Sequence, residues 1–183
     1  MYIHLQSILK EIQFALETSD FTQSEDVLEA ILSAKKIVVF GAGRVGFAMK
    51  SFGMRLNHLG LTSFFLGDVN VPATGVGDLL IVGSGSGNTV SVADIVSIAK
   101  QNGLTIICIT ANPNSIIAMS SASIIVINSP TKENRDKIGN SIQPMTTLFE
   151  QSLLVVLDSL VLQLMEKMNE TNESMTRRHN RLE

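Results

Sequence analysis

The chain has little of several things. It holds no tryptophan, one tyrosine, one cysteine and four prolines in 183 residues. A single cysteine makes no internal disulfide and no Cys-x-x-Cys pair, so a disulfide scaffold and a thiol-ligated zinc or redox motif are both excluded. A reducing, cytoplasmic setting is expected. Cys108 stands inside the apolar run Leu104 to Ile109, where a free cysteine acts as a small buried hydrophobe. Charge is also sparse, with 17% charged residues and a net charge of −3, which argues against broad nucleic-acid binding. His4, His58 and His179 are far apart and lack ligand spacing, so no metal is expected. No uninterrupted apolar run reaches membrane-spanning length, since Asp158 and Gln163 break the closest, Leu153 to Met165. The start Met1-Tyr2-Ile3-His4-Leu5 lacks the basic-then-apolar order of a secretory signal. There is no nucleotide-binding lysine motif.

What is present is a core. Hydrophobic residues make up 45% of the chain, enough for one ordinary domain. Helical spacing of apolar residues predicts helices over 3–18 and 23–34. Strands and helices then alternate. Continuous apolar runs predict strands at 36–40, 62–66, 78–83, 104–110 and 123–128. Helices are predicted at 44–59, 88–102, 114–120 and 141–168. This alternation defines an α/β fold, a three-layer αβα sandwich with a five-stranded parallel sheet. The strand order expected of a doubly wound sheet of this size is 2-1-3-4-5. Residues 1–35 would be leading helices, 36–168 the αβ core, and 169–183 an exposed tail or terminal helix, all within one domain, 1–183.

Two small-residue loops each follow a strand. The first reads Gly41-Ala42-Gly43-Arg44-Val45-Gly46, and the second Gly83-Ser84-Gly85-Ser86-Gly87-Asn88-Thr89. In the expected order the first and third strands are neighbours, so both loops fall at the switch point where ligands bind. Ser84, Ser86 and Thr89 supply hydroxyls beside a helix N-terminus, which suits a phosphate. Gly43, Gly85 and Asn88 complete the candidate binding set, with Asn88 able to help cap the helix. Arg44 adds a guanidinium for sugar oxygens or developing negative charge. A rival reading exists: Gly41-x-Gly43-x-x-Gly46 with Asp68 downstream matches a dinucleotide fingerprint. That reading leaves the hydroxyls of the second loop unexplained, and Arg44 is awkward against a pyrophosphate. Among the remaining polar residues, Glu150 alone reads as a first-turn acid complementing a helix dipole, and His179 as a solvated tail histidine.

These segments resemble the sugar isomerase (SIS) domain family, and within it the 6-phospho-3-hexuloisomerases. The resemblance is carried by Val39 to Arg44, Met49 to Phe52, Met54 to Leu56 and Gly77 to Gly87. It continues in Ser141-Ile142-Gln143-Pro144-Met145, Leu148 to Leu153, and the tail Arg178-His179. Departures are Val45 where relatives often carry Ser, Asn88 where many carry Glu, and Asn180-Arg181 inside the tail motif.

The resemblance implies a flavodoxin-like SIS fold without cofactor. It implies interconversion of D-arabino-hex-3-ulose 6-phosphate and D-fructose 6-phosphate in formaldehyde fixation by the ribulose monophosphate pathway. It makes Glu150 the base, with apolar helix neighbours favouring proton abstraction, and gives His179 a role in a neighbouring subunit's site. It implies a phosphorylated ketohexose as substrate, a homotetramer with shared sites, and a 3-hexulose-6-phosphate synthase as a further partner, with neither nucleic acid nor membrane. The excess apolar surface of the 141–168 helix independently points to self-association. A non-catalytic phosphosugar sensor, or another aldose–ketose isomerase of the family, remains the alternative.

Overall fold

The computed structural model describes residues 1–131 and 141–182. In chain order the helices are α1 (Tyr2–Glu17), α2 (Ser24–Ser33), α3 (Gly43–His58), α4 (Val90–Gln101), α5 (Ile116–Met119), α6 (Thr147–Met168) and α7 (Asn172–Arg177). The strands are β1 (Ile37–Gly41), β2 (Ser63–Phe65), β3 (Leu79–Ser84), β4 (Thr105–Thr110) and β5 (Ser123–Val126). These strands pair with one another in parallel, in the order β2-β1-β3-β4-β5, and an isolated antiparallel bridge joins Asp20 to Val126 of β5. The register sets Gly41 of β1 opposite Gly83 of β3, so both small-residue loops leave the sheet side by side.

Alternation along the strands divides the interior into two apolar clusters. Val39, Ile81, Ile109 and Ile125 pack with α2, α3 and α6 on one face. Val38, Leu80, Val82 and Cys108 pack with α4 and α5 on the other. Both faces of the sheet are thus covered, which is why the strands read as unbroken apolar runs. Burial pushes the Cys108 thiol up to about 12.

Four helices are shorter than the periodicity predicts, α2 by a single residue at each end. Residues 141–146 are not helical: Pro144 lies in this stretch, and Met145 takes the left-handed region at φ 53°, so α6 starts at Thr147. Asn88 and Thr89 belong to the loop before α4. The expected helix over 114–120 is only α5, capped where the Ser115 side chain accepts from the Ala118 N–H. The tail does form a helix, α7, started by reciprocal hydrogen bonds between Thr171 and Ser174. By length and composition α6 could cross a membrane, although Asp158 and Gln163 interrupt its apolar run, and half of its most apolar window is buried inside the protein. Phe149, Leu153, Leu157 and Leu164 are in the core, while Leu154, Val155 and Leu162 remain exposed.

Candidate active site

The site is built where β1 and β3 end together. Ala42 caps α3 with extended backbone, and Gly43 follows at φ 58°, a left-handed conformation open to glycine without steric cost. That turn sets Arg44 on the first helical turn. The second loop turns at Gly87, which has φ 65°, and a Cβ there would lie 1.9 Å from Ser115 Oγ. Backbone and space both require glycine.

The hydroxyls shape this loop as acceptors. Gly87 N–H donates to Ser84 Oγ at 3.2 Å, and Asn88 N–H donates to Ser86 Oγ at 3.2 Å. Ser84 Oγ and Thr89 Oγ1 are 3.3 Å apart. Each hydroxyl has one hydrogen to donate, so an oxygen used as acceptor in the loop can still donate to a ligand. Thr89 precedes α4 without capping it through its side chain, and the first turn of α4 carries no acid. The N–H groups of that turn therefore retain their preference for an anion.

The start of α6 forms the third wall. A cavity of about 460 Å³ is lined by Gly43, Arg44, Ser84, Gly85, Ser86, Thr89, Met145, Thr146 and Glu150, among others. This is the size of a small-metabolite site. Arg44 Nε donates to Glu150 Oε2 at 2.5 Å, and Thr146 Oγ1 donates to Glu150 Oε1 at 3.0 Å. The Arg44 side chain is 62% exposed and the Glu150 side chain 13% exposed. An exposed cation thus meets a largely buried carboxylate. The expected apolar wall around Glu150 is not what its oxygens meet. Phe149 and Leu153 point into the core, and the carboxylate faces a guanidinium and a hydroxyl.

Other residues singled out in the sequence lie outside this cavity. Asn88 does not line the cavity, and its Oδ1 accepts from Ile116 N–H at 3.2 Å, tying the loop to α5. Asp68 pairs with Lys50 at 2.8 Å and is absent from the cavity lining, which removes the ribose-binding acid of the dinucleotide reading. His179 lies beside His58 at the opposite end of α3 from Arg44, with ring centroids 5.1 Å apart. At 1.5 Å per residue this is about 20 Å from Arg44 along the helix, so His179 does not enter its own chain's cavity. Among the described residues, no three His, Cys, Asp or Glu side chains gather as a metal site. Thr146 was missed by sequence reading, although it stands four residues before Glu150, the spacing at which helical neighbours meet.

A doubly wound parallel sheet with a hydroxyl-rich loop and an arginine–carboxylate pair at its switch point defines an α/β protein with a small-metabolite cavity where such folds bind ligands. The sequence model of the SIS domain matches residues 30–159, and the chain belongs to the SIS domain family. It is 36% identical to the 3-hexulose-6-phosphate isomerase of Bacillus subtilis (strain 168), over 98% of this chain and 97% of that one. It is 33% identical to the 3-hexulose-6-phosphate isomerase of Mycobacterium gastri, over 98% of this chain and 90% of that one. A crystal structure of a hypothetical protein from Methanococcus jannaschii, for which a function of 3-hexulose-6-phosphate isomerase has been inferred, superposes with a TM-score of 0.83. It shares 30% identity over 98% of this chain and 99% of that one.

Proposed function

We propose that this chain is an isomerase interconverting D-arabino-hex-3-ulose 6-phosphate and D-fructose 6-phosphate. The observation that carries the reading is the Arg44–Glu150 pair facing the serine loop across one cavity. Full-length similarity to proteins named 3-hexulose-6-phosphate isomerase supports the substrate.

The substrate phosphate docks on the Ser84, Ser86 and Thr89 hydroxyls and the first turn of α4. Its oxygens then draw Arg44 away from Glu150, freeing Oε2. That oxygen takes the C2 proton of the hexulose. The C2–H electron pair becomes the C2–C3 double bond of an enediol, and the C3 carbonyl oxygen gains the charge that Arg44 balances. A hydroxyl proton passes from O2 to O3. Glu150 returns its proton to C3, and C2 becomes the carbonyl. Atoms and electrons balance without a co-reactant.

His179 of a neighbouring copy is proposed to move the hydroxyl proton, since His179 of the same chain is out of reach. Exposed Leu154, Val155 and Leu162 on α6 favour the self-association this needs, which we read as a homotetramer. The same reading takes 1–183 as one cytoplasmic SIS domain serving formaldehyde fixation in the ribulose monophosphate pathway, beside a 3-hexulose-6-phosphate synthase.

The test is incubation with fructose 6-phosphate in D₂O. Deuterium entering at C3 is the expected result. Binding without exchange would instead mark a phosphosugar sensor.

A further inference from the structure

We propose that Glu11, on α1, is a positioning residue that holds the catalytic end of α6 in place. Its carboxylate gathers the segment just before that helix. Ser141 Oγ donates to Glu11 Oε2 at 2.7 Å, Ile142 N–H to Oε1 at 2.8 Å, and Gln143 Nε2 to Oε2 at 3.0 Å. Hydrogen bonds to an ionised acceptor are short and strong, and three of them fix the segment at backbone and side-chain level. Partial burial opposes charge on Glu11. The hydrogen bonds from Ser141, Gln143 and Ile142 outweigh it and hold the carboxyl below its usual range.

The connection to the cavity is short. Gln143 is buried, Pro144 follows with a fixed φ, and Met145 takes φ 53°, which a residue with a Cβ adopts only when its surroundings impose it. Pro144 O then accepts from Thr147 Oγ1 at 2.7 Å and from Thr147 N–H at 3.2 Å. Met145 and Thr146 line the cavity, and Thr146 Oγ1 holds Glu150. Helix α1 itself packs along α6, so Glu11 ties the loop to the helix it precedes. Nothing in this chain of contacts touches the cavity except its last members. Glu11 therefore acts through Thr146 and Glu150, not on substrate.

The proposal rests on Glu150 being the base, so Glu150→Gln is measured first. Near-native activity in that variant overturns the base assignment and this proposal with it. Given an inactive Glu150→Gln, Glu11→Ala should lower kcat about 10- to 100-fold, the scale of a misplacement near 1 Å, while KM moves less than about 3-fold. Glu11→Gln keeps one acceptor oxygen and should recover part of the loss. In the Glu150→Gln background Glu11→Ala should add no further loss, because both act on one step. A kcat within about two-fold of the parent for both Glu11 variants, or a full additional loss in the Glu150→Gln background, overturns the positioning role alone. Should Glu11→Ala fail to fold, the kcat of Glu11→Gln decides.

Discussion

The imidazoles of His58 and His179 lie 5.1 Å apart, tilted by 35°, at the C-terminal end of α3. Arg178 fastens this contact by donating to the His58 carbonyl at 3.0 Å and, through Nη1 and Nη2, to both Glu170 oxygens at 2.8 and 2.7 Å. The tail therefore has a docking place on its own chain, remote from that chain's cavity. Truncation after Thr176 removes this latch but no core residue. The shortened protein should fold and bind fructose 6-phosphate but lose most activity. Mixing it with a Glu150→Gln chain should restore part, since a hybrid site can combine Glu150 from one with His179 from the other. Verified hybrids without recovery would show that each site is complete within one chain.

The latch should respond to acid. Hydrogen bonding from Arg178, then from Ser174, lowers Glu170 from an ordinary 4.5 to about 2. A carboxyl depressed in the folded state contributes stability above its unfolded value and loses it as pH falls toward the folded one. Tail docking should accordingly weaken between about pH 4.5 and pH 2. The Ser174 amide resonance should report this as a titration in wild type that is absent in Glu170→Gln. Identical titration in both proteins would remove Glu170 from the latch.

Ser84 and Ser86 should separate. Ser86 is half-buried and its Oγ accepts from Asn88 N–H, so Ser86→Ala should raise KM by on the order of 10-fold, one lost hydrogen bond to a charged group, with little change in melting. Ser84 is buried and also receives Gly87 N–H, which keeps the Ser84 carbonyl at 3.1 Å as a second acceptor. Ser84→Ala should raise KM similarly and cost about 1 kcal/mol of stability besides. Unchanged KM in the double variant would move the phosphate off this loop.

Glu150→Gln preserves shape and the Thr146 contact but accepts no proton. A general base contributes about 10²–10⁴-fold, and kcat should drop by that order, with fructose 6-phosphate binding retained. Deuterium exchange at C3 should vanish in step. Exchange at a near-native rate would reduce Glu150 to a helix-start acid.

The fold was legible because its signals are local and repeated. Unbroken apolar runs such as Leu79 to Val82 mark doubly covered strands, and the two glycine loops mark the strand ends. The hydroxyl-rich loop was legible for the same reason, its hydroxyls being contiguous in the chain. The environment of Glu150 was not, because the Arg44 partner comes from 106 residues away. Glu11 was invisible altogether: in sequence it is one acid in an amphipathic helix, three residues after Ile8 and four before Ala15, and its meaning appears only when residues 141–143 arrive beside it. His179 is a different case: the resemblance gives it to a neighbouring copy's site, and in its own chain it packs on His58, far from Arg44.

Cys108 sits at zero exposure in the middle of β4, its thiol pushed up to about 12. With no tryptophan in the sequence, the folded protein lacks the usual intrinsic fluorophore for following its own unfolding. The sealed thiol fills that gap. A thiol reagent in solution reacts with the thiolate, so it labels only molecules whose sheet has opened. The chain carries one such group, and each labelling event therefore counts one opened molecule. Labelling kinetics in native buffer would read the opening free energy of the central sheet directly, in the presence and absence of sugar phosphate.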